Sequence, residues 1–265
     1  MTGPMTSASS AMLDAAALLA AELADAAGEV VRRYFRQSVE IIDKDDASPV
    51  TIADREAETA MRRLIAQRFP GHGVLGEEHG PDRIDAEWVW VLDPIDGTKS
   101  FISGVPLFGT LVALLHQGRP VLGVLDQPIS RERWIGGKGR PTTFNGQPVR
   151  TRACGEIARA AIFSTTPAMF DAVDRPRFDA VADAAKLVRF GADCYAYGLV
   201  ASGFIDAVIE GGLKPYDYCA HVPIIEGAGG IVTDWQGQVP GLASDGRIIA
   251  AGDPVLHARL IERLN

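Results

Sequence analysis

Two aspartates near the middle of the chain carry the clearest sign of chemistry. An apolar segment at 88–92 reads as a β-strand, and Asp93 and Asp96 follow it directly. Pro94 fixes one backbone angle and has no N–H, so we expect the chain to bend there rather than continue the strand. In such a bend, the two carboxylates and the carbonyl oxygen of Ile95 can converge on a cation that prefers oxygen ligands.

The next two residues, Gly97 and Thr98, could bind an anion beside that cation. Glycine lets the backbone approach a ligand closely, and the two amide N–H groups could face a phosphate, especially if a helix begins there. Buried carboxylates repel one another and a divalent ion relieves the repulsion, while oxygen ligands favour Mg²⁺, or Mn²⁺, over zinc. The alternative is an ordinary solvent-exposed Asp-Pro-Ile-Asp-Gly turn.

Three other acids stand at predicted strand or helix ends. Glu77 comes just past a short strand, Asp54 lies in the first turn of the second predicted helix, and Asp217 lies near the start of a later one. Each could be structural, because an acid at a helix N-terminus caps the helix or favours its dipole by about 0.3–1 kcal/mol. Taken together with Asp93 and Asp96, they are what a phosphate site with several metal ions requires.

The elements that must position these acids can be read from hydrophobic spacing. Apolar residues at helical intervals over 12–35 predict a long amphipathic helix. Thr51, with Asp54 three residues on, is a candidate N-cap for a second helix that runs to Phe69. Strands are expected at 74–75, 88–92, 109–115 and 121–125, the last two as a hairpin, and 136–148 reads as a loop with a short hairpin.

The second half of the chain alternates between strands and helices. Strands are expected at 160–164, 187–190, 205–210, 231–233 and 248–251, and helices at 167–185, 193–202, 217–228 and 254–264. A helix pair, a mostly antiparallel sheet and then strand–helix alternation together predict a layered α/β (α+β) fold with two sheets.

Composition narrows the class of protein. The 265 residues include 26 Lys and Arg against 34 Asp and Glu, a net charge of −8, which argues against a general binder of nucleic acid or of anionic membranes. The three cysteines form no C-x-x-C pair, which argues against zinc fingers and disulfide frameworks and favours a reducing compartment. Because no signal peptide and no apolar stretch of about 18 residues is found, we expect a soluble cytoplasmic protein.

Several motifs, in their order and spacing, resemble those of the inositol monophosphatase superfamily. They are Gly76-Glu77-Glu78, Asp93-Pro94-Ile95-Asp96-Gly97-Thr98, and Tyr216-Asp217 followed by Glu226-Gly227-Ala228-Gly229-Gly230. The match covers nearly the whole chain, with Tyr216 where the family more often has Trp. The resemblance implies an αβαβα sandwich with an N-terminal helix pair, a large mostly antiparallel sheet and a smaller mixed sheet. It also implies a homodimer.

The implied domain organisation is a single domain over 1–265. Within it we expect a flexible tail at 1–10, a metal-binding α+β half at about 11–150 and an α/β substrate half at 151–265.

The resemblance implies a metal-ligand role for each acid. Glu77, Asp93 and the Ile95 carbonyl would hold one Mg²⁺. Asp93, Asp96 and Asp217 would hold a second, and a third, looser ion would also use Glu77. Mn²⁺ could replace Mg²⁺ at such oxygen ligands.

Further residues would take part in catalysis. Thr98 and Asp54, with Glu77, would position and activate the attacking water, and the amides of Gly97 and Thr98 would bind the phosphate. Lys44 would lie on a loop that closes over the metals, with a solvated lysine as the alternative. A metal-activated water would then attack phosphorus in line, without a covalent enzyme intermediate.

The substrate is expected to be a small phosphate ester. The runs 96–110, 191–197 and 210–217 resemble the histidinol-phosphatase branch, and histidinol phosphate carries an ammonium and an imidazole. Asp193 and Glu210 could pair with these groups, although Asp193 could instead cap the following helix. The alternatives are an inositol-1-monophosphatase, a broad sugar-phosphate phosphatase, or a non-catalytic regulatory member that acts by binding a partner.

Overall fold

Two long helices begin the fold and cover one face of a large sheet. The computed structural model describes residues 7–37, 41–43 and 49–265, with α1 at Ser7–Tyr34 and α2 at Ile52–Arg68. Leu23 of α1 and Met61 of α2 pack in one apolar cluster with Trp90 of the sheet. Both predicted helices are therefore confirmed, and α1 begins earlier than expected.

The start of α2 matches its prediction in detail. Thr51 is the N-cap residue, and the carboxylate of Asp54 accepts hydrogen bonds from the amide (2.9 Å) and the hydroxyl (2.6 Å) of Thr51. The Thr51 hydroxyl in turn accepts from the amide of Ala53. This reciprocal capping fixes where α2 begins and therefore where Asp54 stands.

Of the flexible tail expected at 1–10, whose flexibility stays a prediction, residues 7–10 are helical in α1. Alanine and serine at this point favour that outcome, because alanine is the best helix former and serine suits a helix start. Residues 1–6 lie outside the described residues.

The large sheet has eight strands and is antiparallel except for one pair. Two short strands, β1 (Ile41–Asp43) and β2 (Pro49–Thr51), first pair with each other. The sheet itself then contains β3 (Gly73–Gly76), β4 (Gly80–Asp82), β5 (Trp88–Asp96), β6 (Gly109–His116), β7 (Arg119–Gln127), β8 (Glu132–Gly137), β9 (Arg140–Phe144) and β10 (Gln147–Pro148), in the order β10-β9-β8-β7-β6-β5-β3-β4. Only β3 and β5 run parallel. A short helix, α3 (Thr98–Ile102), follows β5.

Part of this sheet differs from the secondary structure predicted from the sequence. The segment 136–148, expected to be a loop with a short hairpin, does contain a hairpin, formed by β9 and β10. It also contains the end of β8, which was not expected, and β4 was not predicted either. Its glycines and prolines suggested a loop, but Gly136 lies inside a strand for a packing reason. A Cβ at Gly136 would lie 2.4 Å from the carbonyl oxygen of Pro223, so the glycine lets a later helix lie directly on the sheet.

The second sheet has five strands of mixed direction. Its strands are β11 (Ala161–Ser164), β12 (Leu187–Phe190), β13 (Ala207–Glu210), β14 (Ile231–Thr233) and β15 (Ile248–Ala251), in the order β12-β11-β13-β15-β14. β11 is parallel to β12 and β13, whereas β15 is antiparallel to both of its neighbours. The large antiparallel sheet and the smaller mixed sheet are both confirmed.

The helices of the second half differ from prediction in two places. They are α4 (Asp174–Ala182), α5 (Tyr195–Ala201), α6 (Pro215–Tyr218), α7 (His221–Gly227) and α8 (Pro254–Leu264). The helix expected at 167–185 is only nine residues long, because Pro176 lacks an N–H and fits only the first turn of a helix. The helix expected at 217–228 is divided into α6 and α7.

Three apolar clusters hold together five layers in the order αβαβα. The first joins α1 and α2 to one face of the large sheet, and the third joins α4 and α8 to the outer face of the small sheet. The middle cluster lies between the sheets and includes Val91, Val200, Val208 and Ile225. Because this middle cluster joins both halves of the chain, it supports the prediction of one domain. Of the helices in the described residues, none has the length and apolar character needed to cross a bilayer.

The contact at Gly136 gives a first prediction. Gly136→Ala forces the new Cβ against the backbone of α7 (2.4 Å to Pro223 O and to Ile224 Cα), so we expect a loss of about 2–3 kcal/mol in the free energy of unfolding. Thermal unfolding should show a Tm lower by roughly 4–12 °C. The control is Gly71→Ala, since a Cβ at Gly71 meets no atom within 4 Å. Equal Tm values for the two variants would contradict this packing argument.

Candidate metal and phosphate site

Asp93 and Asp96 lie on an irregular stretch of β5. Asp93 pairs with Leu111 and Asp96 with Gly109, with a shift of register between them. The expected end of the strand at residue 92 is therefore wrong, since pairing is interrupted after Asp93 and resumes at Asp96. The expected bend is local, and the carbonyl of Pro94 accepts a hydrogen bond from the hydroxyl of Thr110 (2.8 Å) instead of a ladder partner.

A third acid reaches the same place from the second half of the chain. Asp217 lies in α6, and its carboxylate accepts a hydrogen bond from the amide of Lys214 (2.7 Å). Asp93, Asp96 and Asp217 each place a carboxylate oxygen within 4.8 Å of the other two. The capping and metal-binding interpretations of Asp217 are thus compatible, because the side chain caps α6 while it faces the other acids.

Burial and mutual repulsion make these carboxylates hard to ionise in the absence of a cation. Burial raises the pKa of Asp93 and of Asp96 well above the usual range, and neighbouring acids raise both further. Burial raises the pKa of Asp217 to about 7, with the charge of Glu77 also raising it. Within the described residues, no salt bridge to a basic side chain neutralises the three. A group of one buried and two half-buried carboxylates with this surplus of negative charge fits a divalent cation.

Glu77 stands beside this group but is not one of the three closest acids. It follows β3, and its amide donates to the carbonyl of Leu92 (3.2 Å), which ties it to β5. Its charge contributes to the raised pKa values of Asp93, Asp217 and Asp54. Its predicted place next to the metal ligands therefore agrees with the structure, while its role as a ligand stays a prediction.

A buried glutamate that the sequence analysis did not single out holds the segment after Glu77. The carboxylate of Glu58 accepts hydrogen bonds from the amides of Glu78 (2.7 Å) and His79 (3.2 Å) and pairs with Arg62 (2.6 Å). The i,i+4 spacing of Glu58 and Arg62 on α2 was the available signal, but this spacing is common on solvated helices.

Asp54 and Thr98, the residues expected to orient the water, approach the acids from different elements. Burial raises the pKa of Asp54 to about 6, and its charge adds to the raised pKa of Asp93. The hydroxyl of Thr98 donates to the carbonyl of Ile95 (3.2 Å). No hydrogen bond joins Thr98 to Asp54 in the part of the chain that the structure describes, so their joint action on a water stays a prediction.

The expected phosphate-binding amides lie at the start of α3, as the sequence suggested. Gly97 is the N-cap residue of α3 and has a φ of 87°, a left-handed conformation that favours glycine. A Cβ there would lie 2.8 Å from Oδ2 of Asp193, so a side chain is excluded for a second reason. A helix does begin at Thr98, which is the condition under which the sequence analysis expected these amides to face a phosphate. Their binding of an anion stays a prediction.

A cavity of about 360 Å³ adjoins these groups and contains both predicted substrate acids. Its lining includes Glu77, Asp96, Thr98, Asp193, Glu210 and Asp217, together with Lys99, Thr165, Met169, Tyr197 and Leu213. Lys99 and Thr165 are polar groups of the cavity that the sequence analysis did not assign to it, because nothing in their spacing links them to the acids. Lys44 lies outside the described residues.

Asp193 does not cap a helix, so that alternative is wrong. The N-cap residue of α5 is Cys194, without a side-chain capping bond, and Asp193 has a φ of 44°. The carboxylate of Asp193 instead accepts a hydrogen bond from the hydroxyl of Ser100 in α3. Burial raises the pKa of Asp193, whereas the Ser100 hydroxyl and the charge of Lys99 lower it.

The αβαβα layers and the group of acids beside a cavity of about 360 Å³ are the arrangement expected of a phosphomonoester hydrolase, which removes phosphate from an ester. A family model described as the inositol monophosphatase family matches residues 12–265, and the chain belongs to that family.

Similar proteins agree with this assignment. The chain is 51% identical to the bifunctional phosphatase IMPL2, chloroplastic, of Arabidopsis thaliana, over 95% of this chain and 75% of that protein. It is 38% identical to a histidinol-phosphatase of Chlorobaculum parvum, over 88% of this chain and 90% of that protein. A solved structure of an inositol monophosphatase from Zymomonas mobilis matches with a TM-score of 0.87 and 46% identity, over 94% of this chain and 96% of that one.

The raised pKa values predict an unusual dependence of stability on pH for the metal-free protein. An aspartate in the unfolded chain has a pKa of about 3.9, so between about pH 4 and 7 the folded protein binds more protons than the unfolded chain. The free energy of unfolding contributed by the site should therefore fall as the pH rises through this window. Thermal unfolding in a chelator at about pH 5 and pH 8, with and without Mg²⁺, measures the effect.

Asp96→Asn provides the matched comparison, because an amide oxygen can still accept from the Cys194 amide (2.8 Å) as Asp96 does. In chelator at about pH 8 the variant should have a higher Tm than the wild type, since one repelling charge is gone. Mg²⁺ should raise the Tm of the wild type more than that of the variant. A wild type more stable than Asp96→Asn without metal would contradict the repulsion argument.

Proposed function

We propose that this phosphatase converts L-histidinol phosphate and water to L-histidinol and phosphate, with two or three Mg²⁺ ions and with Mn²⁺ as a possible replacement. One observation carries the choice of substrate: Asp193 and Glu210 line the cavity in addition to the acids predicted to hold metal. Their carboxylates can pair with the ammonium and the imidazole of histidinol phosphate. Neutral inositol would need only groups that bind hydroxyls.

The charge of the cavity supports a cationic substrate. Five acidic residues and one basic residue, Lys99, line it. The metal ions would offset Glu77, Asp96 and Asp217, whereas Asp193 and Glu210 would keep their charge for the substrate. A buried carboxylate without a counter-charge is costly, and a substrate cation would supply that charge on binding. The similarity to the histidinol-phosphatase of Chlorobaculum parvum supports the same choice.

The proposed mechanism assigns a task to each group around the phosphate. Asp93, Asp96 and Asp217, with Glu77 and the Ile95 carbonyl, would hold the metal ions. Bound Mg²⁺ would supply charge neutralisation for the phosphate, a lower pKa for a water ligand and stabilisation of the leaving alkoxide.

The remaining tasks fall to the start of α3 and to α2. The amides of Gly97 and Thr98 would orient the phosphate oxygens. Asp54, whose pKa is raised to about 6, would accept the proton of the attacking water through Thr98 near neutral pH.

An inositol-1-monophosphatase or a broad sugar-phosphate phosphatase is the second candidate. Asp193 already accepts from Ser100 and lies near the charge of Lys99, so part of its charge is offset within the protein. A cavity neutralised in this way suits hydroxyl groups better than cations. The similarity to the inositol monophosphatase from Zymomonas mobilis also favours this candidate.

A substrate panel separates the two. We expect kcat/KM to be highest for histidinol phosphate among histidinol phosphate, inositol 1-phosphate, fructose 1,6-bisphosphate and a 3′-phosphoadenosine nucleotide. Asp193→Asn should lower kcat/KM for histidinol phosphate by about 10- to 100-fold, the value of a charged hydrogen bond, and that for inositol 1-phosphate much less. Asp85→Asn, at an exposed position away from the cavity, should change neither. Equal losses for both substrates in Asp193→Asn would overturn the proposal.

The metal dependence is tested with a ligand variant. Mg²⁺-dependent phosphate release should be lost in Asp96→Asn, because the variant removes one charge from the three acids that lie within 4.8 Å of one another. The Asp85→Asn control should release phosphate as the wild type does. Unchanged release in Asp96→Asn would disprove the metal-site interpretation.

The cytoplasmic location and the homodimer stay predictions. Light scattering on the purified protein measures its mass in solution, and a mass near twice the 28.3 kDa of the chain is expected.

A further inference from the structure

Glu210 has most of its hydrogen-bonding capacity occupied within the protein. An ionised carboxylate offers about four lone-pair positions, two on each oxygen. Oε1 accepts from the amide (3.0 Å) and the hydroxyl (2.6 Å) of Thr165, and Oε2 accepts from the hydroxyl of Tyr197 (2.7 Å). Three of the four positions are thus filled. A single position, on Oε2, is left for a donor that enters the cavity.

Tyr197 is held so that its hydroxyl stays on Oε2. Its ring is buried in α5 and stacks flat on His221, with 3.8 Å between ring centroids and 4° between planes. His221 is also fully buried, and neither ring nitrogen has a hydrogen-bond partner in the part of the chain that the structure describes. The contribution of His221 to this contact is therefore its flat face, which limits rotation of the Tyr197 ring.

We propose that Tyr197, supported by His221, is a specificity-determining positioning residue that restricts Glu210 to one hydrogen-bond donor from the substrate. This inference deepens the proposed function and rests on it. The imidazolium of histidinol phosphate directs its two ring N–H groups away from each other, so only one of them can reach Oε2 and form a charged hydrogen bond. A polyol presents neighbouring hydroxyls to the same carboxylate, and the second hydroxyl finds no acceptor there.

The restriction therefore disfavours polyol phosphates. A buried donor left without an acceptor costs about 1–3 kcal/mol, whereas a single N–H loses nothing when the second position is taken. Removal of the Tyr197 hydroxyl opens that second position on Oε2 without changing the ring that packs on His221.

Tyr197→Phe tests this directly. The readout is the ratio of kcat/KM for inositol 1-phosphate to kcat/KM for histidinol phosphate, in which a change common to both substrates cancels. We expect the ratio to rise by about three- to tenfold, mainly through a change in KM. A change of this size corresponds to the net free energy of one hydrogen bond. An unchanged ratio, or one that falls, would overturn the proposal.

Tyr195→Phe is the matched control on the same helix. The Tyr195 hydroxyl donates to Glu132 (2.9 Å), and Tyr195 does not line the cavity, so its removal should leave the ratio as in the wild type. An equal rise of the ratio in both variants would mean that loss of either tyrosine hydroxyl on α5 has the same effect. That result would overturn the role of Tyr197.

His221 is tested by a pair of substitutions. His221→Phe keeps a flat ring against Tyr197 and should retain the wild-type ratio, while His221→Ala removes the ring and should shift the ratio toward that of Tyr197→Phe. Thermal unfolding shows whether each variant is folded, and if His221→Ala is not, the two tyrosine variants alone decide.

The proposed function fails separately, if the wild-type protein has a higher kcat/KM for inositol 1-phosphate than for histidinol phosphate. The Tyr197 inference is read from the change in ratio between the wild type and Tyr197→Phe.

Discussion

Repulsion among closely spaced carboxylates is the constraint around which the site is built. Asp93, Asp96 and Asp217 come from two distant parts of the chain, yet their oxygens lie within 4.8 Å of one another. Because these charges repel one another, the surrounding structure must hold the three side chains in place. The irregular end of β5 positions the first two acids, and the start of α6 positions the third through the Lys214 amide.

The layered core provides the stability that this arrangement requires. The apolar cluster between the sheets joins β5, the strand that carries Asp93 and Asp96, to α7, the helix that follows Asp217. At Gly136, the backbone of α7 lies directly on the large sheet. Hydrophobic burial on both sides of the acids therefore offsets the electrostatic cost of gathering them.

Local patterns predicted a large part of the fold and the composition of the site. Periodicity placed α1 and α2, and the cap at Thr51 was correct to the residue because it depends only on neighbours in sequence. The strand at Gly136 was missed because a glycine is needed there for close contact with a helix nearly ninety residues later, and a local pattern does not show such a contact. The roles of Thr165 and Tyr197 at Glu210 escaped notice for the same reason, since β11, α5 and β13 meet only in three dimensions.

Asp54 and Asp217 share a property that affects how substitutions at this site are interpreted. Each carboxylate accepts a main-chain amide at the beginning of a helix, from Thr51 and from Lys214 respectively. Truncation to alanine would therefore remove a helix cap, worth about 0.5–2 kcal/mol, at the same time as a charge. An alanine scan would attribute the loss of the cap and the loss of the charge together to catalysis. Asparagine keeps the acceptor oxygen and changes the charge alone. At these two positions the choice of replacement decides whether an experiment measures the charge alone or the charge together with helix capping.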